Sequence, residues 1–359
     1  MLLSQATLWS MVGLLVVVQR TFAKEYNCID HGANDDVDWF VIYKMKPTIG
    51  VDEAQATIFA DGLGYFYLNP KTLVGWTKST IGIGTADQTL ERTLKPYYDA
   101  PADQDTLRIW YSSQSISLPN CPKSPSQGVI MSKADAAMWL THSVPSFPPT
   151  DKFKWPDGKA TENSQLLFCL SLDLNTLKSV VEALRYEMPI VYWQHLPAAF
   201  QVSPYLEIVT GEPVTAQSKV LDFTTKGFKP NEQLSMRYIV KTGKNIKLFD
   251  NLMATGQRIP LKTWTKHNLK SACSVYYKVI NIKDGVRIVQ GSSIISIDRQ
   301  SDDARWAVSD NPVTPLWCFT ASDRTSDEAK APGSALCTTN LQLYNIFGGM
   351  AAMANSEKC

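Results

Sequence analysis

Apolar and polar positions trade places along this chain in short blocks, which predicts many strands and few long helices. Val37 to Tyr43 reads VDWFVIY, the apolar, β-branched and aromatic composition of a buried strand. Asp61-Gly62-Leu63-Gly64 marks a turn, and Tyr65 to Leu68 predicts a second strand. Gly75 to Gly84 is rich in glycine and threonine and predicts a loop. Leu107 to Ser112 predicts another strand, and the proline- and serine-rich stretch from Ser113 to Gln127 a long exposed loop. Gly128 to Met131 and Ala137 to Thr141 predict a hairpin split by Lys133-Ala134-Asp135. Pro145 to Pro156 carries too many prolines for continuous regular structure.

Gln165 to Leu172 (QLLFCLSL) predicts a central strand, and Asn175 to Tyr186 an amphipathic helix. That helix would bury Leu177, Val180, Val181 and Leu184, with Asn175 as its cap. From about Val202 the pattern restarts. Residues 205–270 carry many lysines with little periodicity and predict a lobe boundary made of surface elements. Strands are expected at Val275 to Ile280, Ser292 to Ile297 and Trp306 to Val308. No exact internal repeat is visible. Mixed strands and helices that restart halfway predict an α/β chain of two similar lobes, over 24–200 and 201–359.

The first 23 residues read as a signal peptide: the apolar core from Met11 to Val18 is too short to cross a bilayer, and Thr21-Phe22-Ala23 offers small residues for cleavage. No later stretch reaches the roughly 18 continuous apolar residues of a membrane span. The mature chain is therefore expected to be exported and soluble. Ten tryptophans and 44% apolar residues predict a packed core, not disorder. Losing the leader takes the formal charge from +1 to zero. Neutrality does not favour broad capture of a polyanion, but it leaves room for a local basic groove. Seven cysteines in an exported chain imply three disulfides and one thiol left over, with many pairings open. Without a Cys-x-x-Cys pair, zinc-ribbon and thioredoxin readings have no support. The sequence also has no Asn-x-Ser/Thr acceptor, since Asn163-Ser164-Gln165 and Asn175-Thr176-Leu177 both miss the pattern.

Several segments together carry a resemblance. They are Val37-Asp38-Trp39-Phe40 with Tyr43-Lys44 and Pro47, then Gly64-Tyr65-Phe66-Tyr67, then His142-Ser143-Val144-Pro145-Ser146-Phe147-Pro148-Pro149. Ala272-Cys273-Ser274-Val275-Tyr276-Tyr277-Lys278-Val279 and Trp306-Ala307-Val308-Ser309 follow, with a weaker match around Cys169. In this order and spacing the chain resembles the deoxyribonuclease II family. The resemblance implies a phospholipase D-like α/β fold: two pseudo-symmetric lobes, mixed β-sheets flanked by helices, and a site at the lobe interface. It also implies the pairings Cys28–Cys169, Cys318–Cys337 and Cys273–Cys359, which leaves Cys121 spare.

In that family two His-x-Lys motifs break the phosphodiester. One histidine attacks phosphorus, the other protonates the leaving oxygen, and the lysines offset charge, so the resemblance implies no metal and no cofactor. Here Gly128-Val129-Ile130 fixes the first register and puts Pro125 in the place of the histidine and Gln127 in that of the lysine. Trp306-Ala307-Val308 likewise puts Asp303 and Arg305 in the second pair of places. Proline offers neither nucleophile nor proton. Arg305 could still bind a phosphate, and Asp303 would repel it when ionised or act as an acid when protonated. His142 stays as a vestigial site residue; His31, His195 and His267 match no catalytic position and are expected on the surface or in the core. Lys44 lines a phosphate groove or packs, and the aromatic strands at Trp39 and Tyr65 to Tyr67 are core before they are base-stacking platforms. Ser322-Asp323-Arg324 and Ser326 form the polar cluster after the second motif, and Ala331-Pro332-Gly333 departs from the family's glycine-rich run there.

Two functions fit the residues. One is a secreted, catalytically inactive homologue that binds, its partner being DNA in a residual groove or a host or surface protein. The other is an active, metal-independent acid DNA endonuclease leaving 3′-phosphate ends, secreted or lysosomal, with His142 and Asp303 in improvised roles.

Overall fold

The computed structural model describes residues 26–32, 35–51, 55–72, 75–100, 104–113, 124–274, 277–291 and 293–359. The leader, Cys121 and Val275-Tyr276 lie outside the described residues. β1 (Cys28–Ile29) and β2 (Asp36–Val37) make a short antiparallel pair. β3 (Trp39–Lys44), β4 (Tyr65–Leu68), β5 (Thr77–Lys78), β6 (Leu107–Ser112), β7 (Gly128–Lys133), β8 (Ala136–His142), β9 (Gln165–Leu172) and β10 (Ile190–His195) build the first large sheet. Its order is β10-β6-β7-β8-β9-β3-β4-β5, antiparallel throughout.

The second large sheet holds β11 (Ser218–Thr224), β12 (Ser235–Lys241), β13 (Leu261–Trp264), β14 (Ala272–Cys273) and β15 (Lys278–Asn281). After the separate hairpin of β16 (Val286–Gln290) and β17 (Ser293–Ile297) it takes in β18 (Trp306–Ser309), β19 (Trp317–Thr320) and β20 (Gly333–Thr338). The order is β11-β12-β20-β19-β18-β13-β15-β14, with β13 and β15 parallel. The run β6-β7-β8-β9-β3 in one sheet and β13-β18-β19-β20-β12 in the other repeat the same chain order and the same antiparallel pairings. The repeat is topological, which is why no repeated sequence reveals it.

Helices α1 (Ala56–Ala60), α2 (Thr89–Asp99), α3 (Lys159–Glu162), α4 (Leu174–Leu184), α5 (Tyr205–Thr210) and α6 (Leu341–Ala352) complete the fold. α4 packs on β8 and β11, and α6 on β18 and β19, so both helices sit in the core shared by the two sheets. Trp139 meets Tyr238 at 5.1 Å between ring centres and Phe168 meets Trp317 at 5.2 Å, direct contacts from sheet to sheet. Phe347 of α6 touches Tyr43, Trp76, Trp306 and Trp317. The outer face of the first sheet is covered by Leu90, Leu94 and Tyr97 of α2, and that of the second by a π-type helix over Leu248–Thr255. Three disulfides form, Cys28–Cys169, Cys273–Cys359 and Cys318–Cys337, and they fit an oxidising compartment.

Several expectations need correction. Residues 205–270 are not only surface: β12 lies inside the sheet with Met236, Tyr238, Ile239, Val240 and Lys241 buried. The stretch read as loop at Gly75 to Gly84 contains the edge strand β5. The loop ending at Gln127 is not exposed at its end, where Ser124, Ser126 and Gln127 are buried. The backbone there extends the β7–β8 pairing, since the His142 N–H donates to the Gln127 carbonyl at 3.1 Å. Gly128 makes this path passable: a Cβ would fall 2.4 Å from both the Leu140 carbonyl and the Tyr111 hydroxyl.

The predicted helix is present and buries Leu177, Val180, Val181 and Leu184, but it ends at Leu184 and its cap is Asp173, not Asn175. The Asp173 carboxylate accepts the Thr176 N–H at 2.8 Å. Asp173→Ala is therefore expected to cost about 1 kcal/mol, read as a shift in urea midpoint, while Asn175→Ala costs little.

Candidate functional site

The polar residues singled out in the sequence gather where the two sheets join. Ser164, just before β9, bridges to Asp302 as a parallel pair: its N–H donates to the Ser301 carbonyl at 2.8 Å, and the Asp303 N–H returns to the Ser164 carbonyl at 2.9 Å. This carries the second motif segment onto the first sheet. A chain of side-chain bonds then connects the two motif positions. Gln127 Nε2 donates to the Ser143 carbonyl at 3.3 Å, and Ser143 Oγ donates to Gln165 Oε1 at 2.7 Å. Gln165 Nε2 in turn donates to Asp303 Oδ2 at 3.1 Å. Gln127 and Asp303 are thus linked through Ser143 and Gln165. Pro125 lies in the same lead-in, half-buried.

Asp303 is the hub. Its carboxylate accepts from Asn163 Nδ2 at 2.9 Å, from Gln165, and from Lys266 Nζ at 2.8 Å. Burial works against its charge, but these donors prevail and hold its pKa below the usual carboxylate range. An Asp303 ionised in this way is no proton donor at mildly acid pH. Arg305 is taken up by Asp323, with Nε 2.9 Å from the carboxylate. Burial lowers the Arg305 pKa, but the charge and hydrogen bond of Asp323 together with the charges of Asp303 and Asp302 outweigh it and raise the value overall. Lys44 is wholly buried and donates to the carbonyls of Ala160, Thr161 and Asn163 at 2.6, 2.6 and 2.9 Å. Burial pulls its pKa down to about 7, against the nearby Asp303 charge, while three carbonyl acceptors suit an ammonium. Lys44 packs; it lines no open groove.

His142 ends β8, almost wholly buried against Phe147. The Val144 N–H donates to its Nδ1 at 3.2 Å, which places the ring proton of the neutral form on Nε2. That Nε2 is buried without a hydrogen-bond partner. Burial lowers the pKa to about 3. The ring therefore has no charge to donate as an acid and no free lone pair to act as base or nucleophile. The other histidines stand elsewhere. His31 lies against Tyr65 and Tyr67, His195 is 3.2 Å from the Gln104 carbonyl, and His267 sits beside the Thr265 carbonyl and Glu357. Each of the four meets different partners, and no two are paired.

The pKa of His142 gives a stability prediction. A histidine whose folded pKa is depressed stabilises the fold above its unfolded value near 6.5 and loses that contribution as pH falls toward about 3. His142→Asn keeps an acceptor for Val144 and removes the titration. Urea midpoints at pH 7 and pH 4 should show wild type losing more stability on acidification than His142→Asn.

Beside the hub is a residue the sequence reading passed over. Asp302 is fully buried and accepts from Tyr43 OH at 2.5 Å, Trp264 Nε1 at 2.6 Å and the Ala304 N–H at 2.9 Å. Tyr43 comes from the first sheet and Trp264 from the second, so one carboxyl ties the two together. Burial raises its pKa to about 6 despite Arg299 and its three donors. Asp38 makes a second tie, accepting the Gly227 N–H at 2.6 Å. Arg324, in the predicted polar cluster, is buried in structural bonds to Asp250, Asn281 and the Lys270 carbonyl. Among the described residues, no group of three or more His, Cys, Asp or Glu could hold a metal ion, and no helix is long and apolar enough to cross a membrane.

Two facing sheets with a repeated strand order and a polar site at their join define the class, an α/β protein of phospholipase D-like fold. The sequence model of the family Deoxyribonuclease II matches residues 27–359, and the chain belongs to that family. It is 24% identical to Plancitoxin-1 of Acanthaster planci over 96% of both chains. It is also 24% identical to Deoxyribonuclease-2 of Caenorhabditis elegans, over 96% of this chain and 97% of the relative. With Deoxyribonuclease-2-alpha of Rattus norvegicus the identity is 27%, over 87% of this chain and 89% of the relative.

Proposed function

We propose that this chain is an exported deoxyribonuclease II homologue whose phosphodiester centre is silent and which acts by binding. One observation carries the reading. Gln127 and Asp303, which stand where the family's lysine and histidine are expected, are bonded to each other through Ser143 and Gln165, and the one histidine nearby is neutral with its lone pair engaged. Loss of two central catalytic groups lowers rates by several orders of magnitude. The three disulfides support export, in keeping with a leader over residues 1–23.

Within this reading the partner is DNA, as membership of the family suggests, held in a residual groove at the join. Duplex DNA binding that weakens steeply with salt is the expected result. Binding to a host or surface protein that ignores salt would give the partner as protein. The relatives named deoxyribonucleases favour a second reading, a working acid endonuclease in which His142 and Asp303 act. Plasmid nicking over pH 4 to 7 with EDTA separates the two. Intact plasmid supports the silent centre, and nicking that disappears in His142→Ala supports the enzyme.

A further inference from the structure

A largely apolar cavity of about 520 Å³ opens beside β11 and β12 with the exposed Asp222–Arg237 ion pair in its lining, but nothing in the structure shows what would occupy it. The charge arrangement around Asp303 goes further. Lys46 is paired with Asp298, Lys266 with Asp303 and Arg305 with Asp323. Three cations at one join are each met by an aspartate of the chain itself.

The Asp303 neighbourhood has the make-up of an oxyanion cradle. It offers a lysine ammonium and two side-chain amides, all within 3.1 Å of one carboxylate, with Arg305 and Lys44 close enough to be felt as charges. The same donors would serve a phosphate, whose oxygens accept from lysine and amide N–H groups alike. Lys266 is half-exposed, so the cradle has a way in from solvent.

We propose that this cradle is a phosphate site kept occupied by the protein's own Asp303 carboxylate, so that the wild-type chain excludes a phosphate there. The proposal rests on the silent-centre reading and adds the group that closes the site. It follows that any DNA held at the join is gripped away from Asp303. A carboxylate a few ångströms from the incoming anion repels it strongly in a partly buried setting.

The test measures binding of inorganic phosphate at pH 6 by calorimetry, with dimethyl phosphate as a separate diester probe. Asp303→Ala should bind inorganic phosphate at least about tenfold more tightly than wild type. Adding Lys266→Ala to that variant should abolish the gain. Dimethyl phosphate binding to Asp303→Ala would show that the cradle takes diesters, and binding of inorganic phosphate alone that it takes monoester-like ions; either supports the site. Equal binding by wild type and Asp303→Ala, or no binding of either probe by a folded Asp303→Ala, overturns it, as does a gain that survives loss of Lys266. If Asp303→Ala does not fold, Asp303→Ser, with the same expected gain and the same overturning results, takes its place. DNA cleavage by wild type would instead sink the silent-centre reading, and that is a separate readout.

Discussion

Asp302→Ala lowers the folding free energy by about 3–5 kcal/mol at pH 4, measured by urea unfolding, and by less at pH 7. The cost arises because two fully buried donors, Tyr43 OH and Trp264 Nε1, lose their acceptor together with the Ala304 N–H. Each unsatisfied buried donor costs roughly 1–3 kcal/mol, and here they belong to opposite sheets. The pH dependence follows from linkage. A carboxyl raised on folding contributes stability in full below its unfolded value near 4 and loses it as pH climbs through about 6. The wild-type residue therefore helps most in acid, and its removal hurts most there. Tyr43→Phe, which removes a single donor and leaves the carboxyl in place, should cost only about 1 kcal/mol. A loss below 1 kcal/mol for Asp302→Ala at pH 4 would mean the sheets are held together without this tie.

Strands with dense β-branched and aromatic runs were legible in the sequence, and β3, β4, β6, β8 and β9 fall where the pattern predicts. β12 was not legible, because Ser235 and Arg237 break its apolar run on the solvent side and Lys241 looks like a surface residue. In the fold Lys241 is buried, donating to the carbonyls of Glu328 and Ala331, which no local pattern announces. α2 was hidden by Pro96 within it. α6 was hidden by its lack of a polar stripe, as expected of a helix packed within a core. Strand order, with β3 inserted beside β9 and β12 beside β20, depends on contacts far apart in sequence.

The site shows the same division. Motif register proposes Gln127, His142, Asp303 and Arg305 as site residues, and the fold adds which partners each of them bonds. Gln165 reaches Asp303 across 138 positions of chain, and Lys266 across 37, so neither bond has a local signature. Asp302 has no local signature of its own, and its role shows only once Tyr43 and Trp264 are brought together. His142 kept its motif, yet its burial and the Val144 bond, which decide its protonation, are properties of the folded chain.

The largest functional effect expected is an absence. A phosphohistidine route needs one imidazole with a free lone pair and another that can carry a proton near the working pH. His142 has neither property, and the remaining histidines are scattered over other elements. Lys266 and two amides lower the pKa of Asp303 against its burial, so on the proposed reading it does not serve as the acid. On the proposed silent-centre reading, the rate should fall by several orders of magnitude below that of a working enzyme of this fold.

The most direct measurement is a single-turnover assay with purified protein in excess over end-labelled duplex DNA, in EDTA at pH 5. His142→Ala is run in parallel. Product should stay at the level of buffer alone in both samples after hours of incubation. Cleavage by wild type that His142→Ala abolishes would show that an imidazole of this chain breaks phosphodiesters, and would contradict the account.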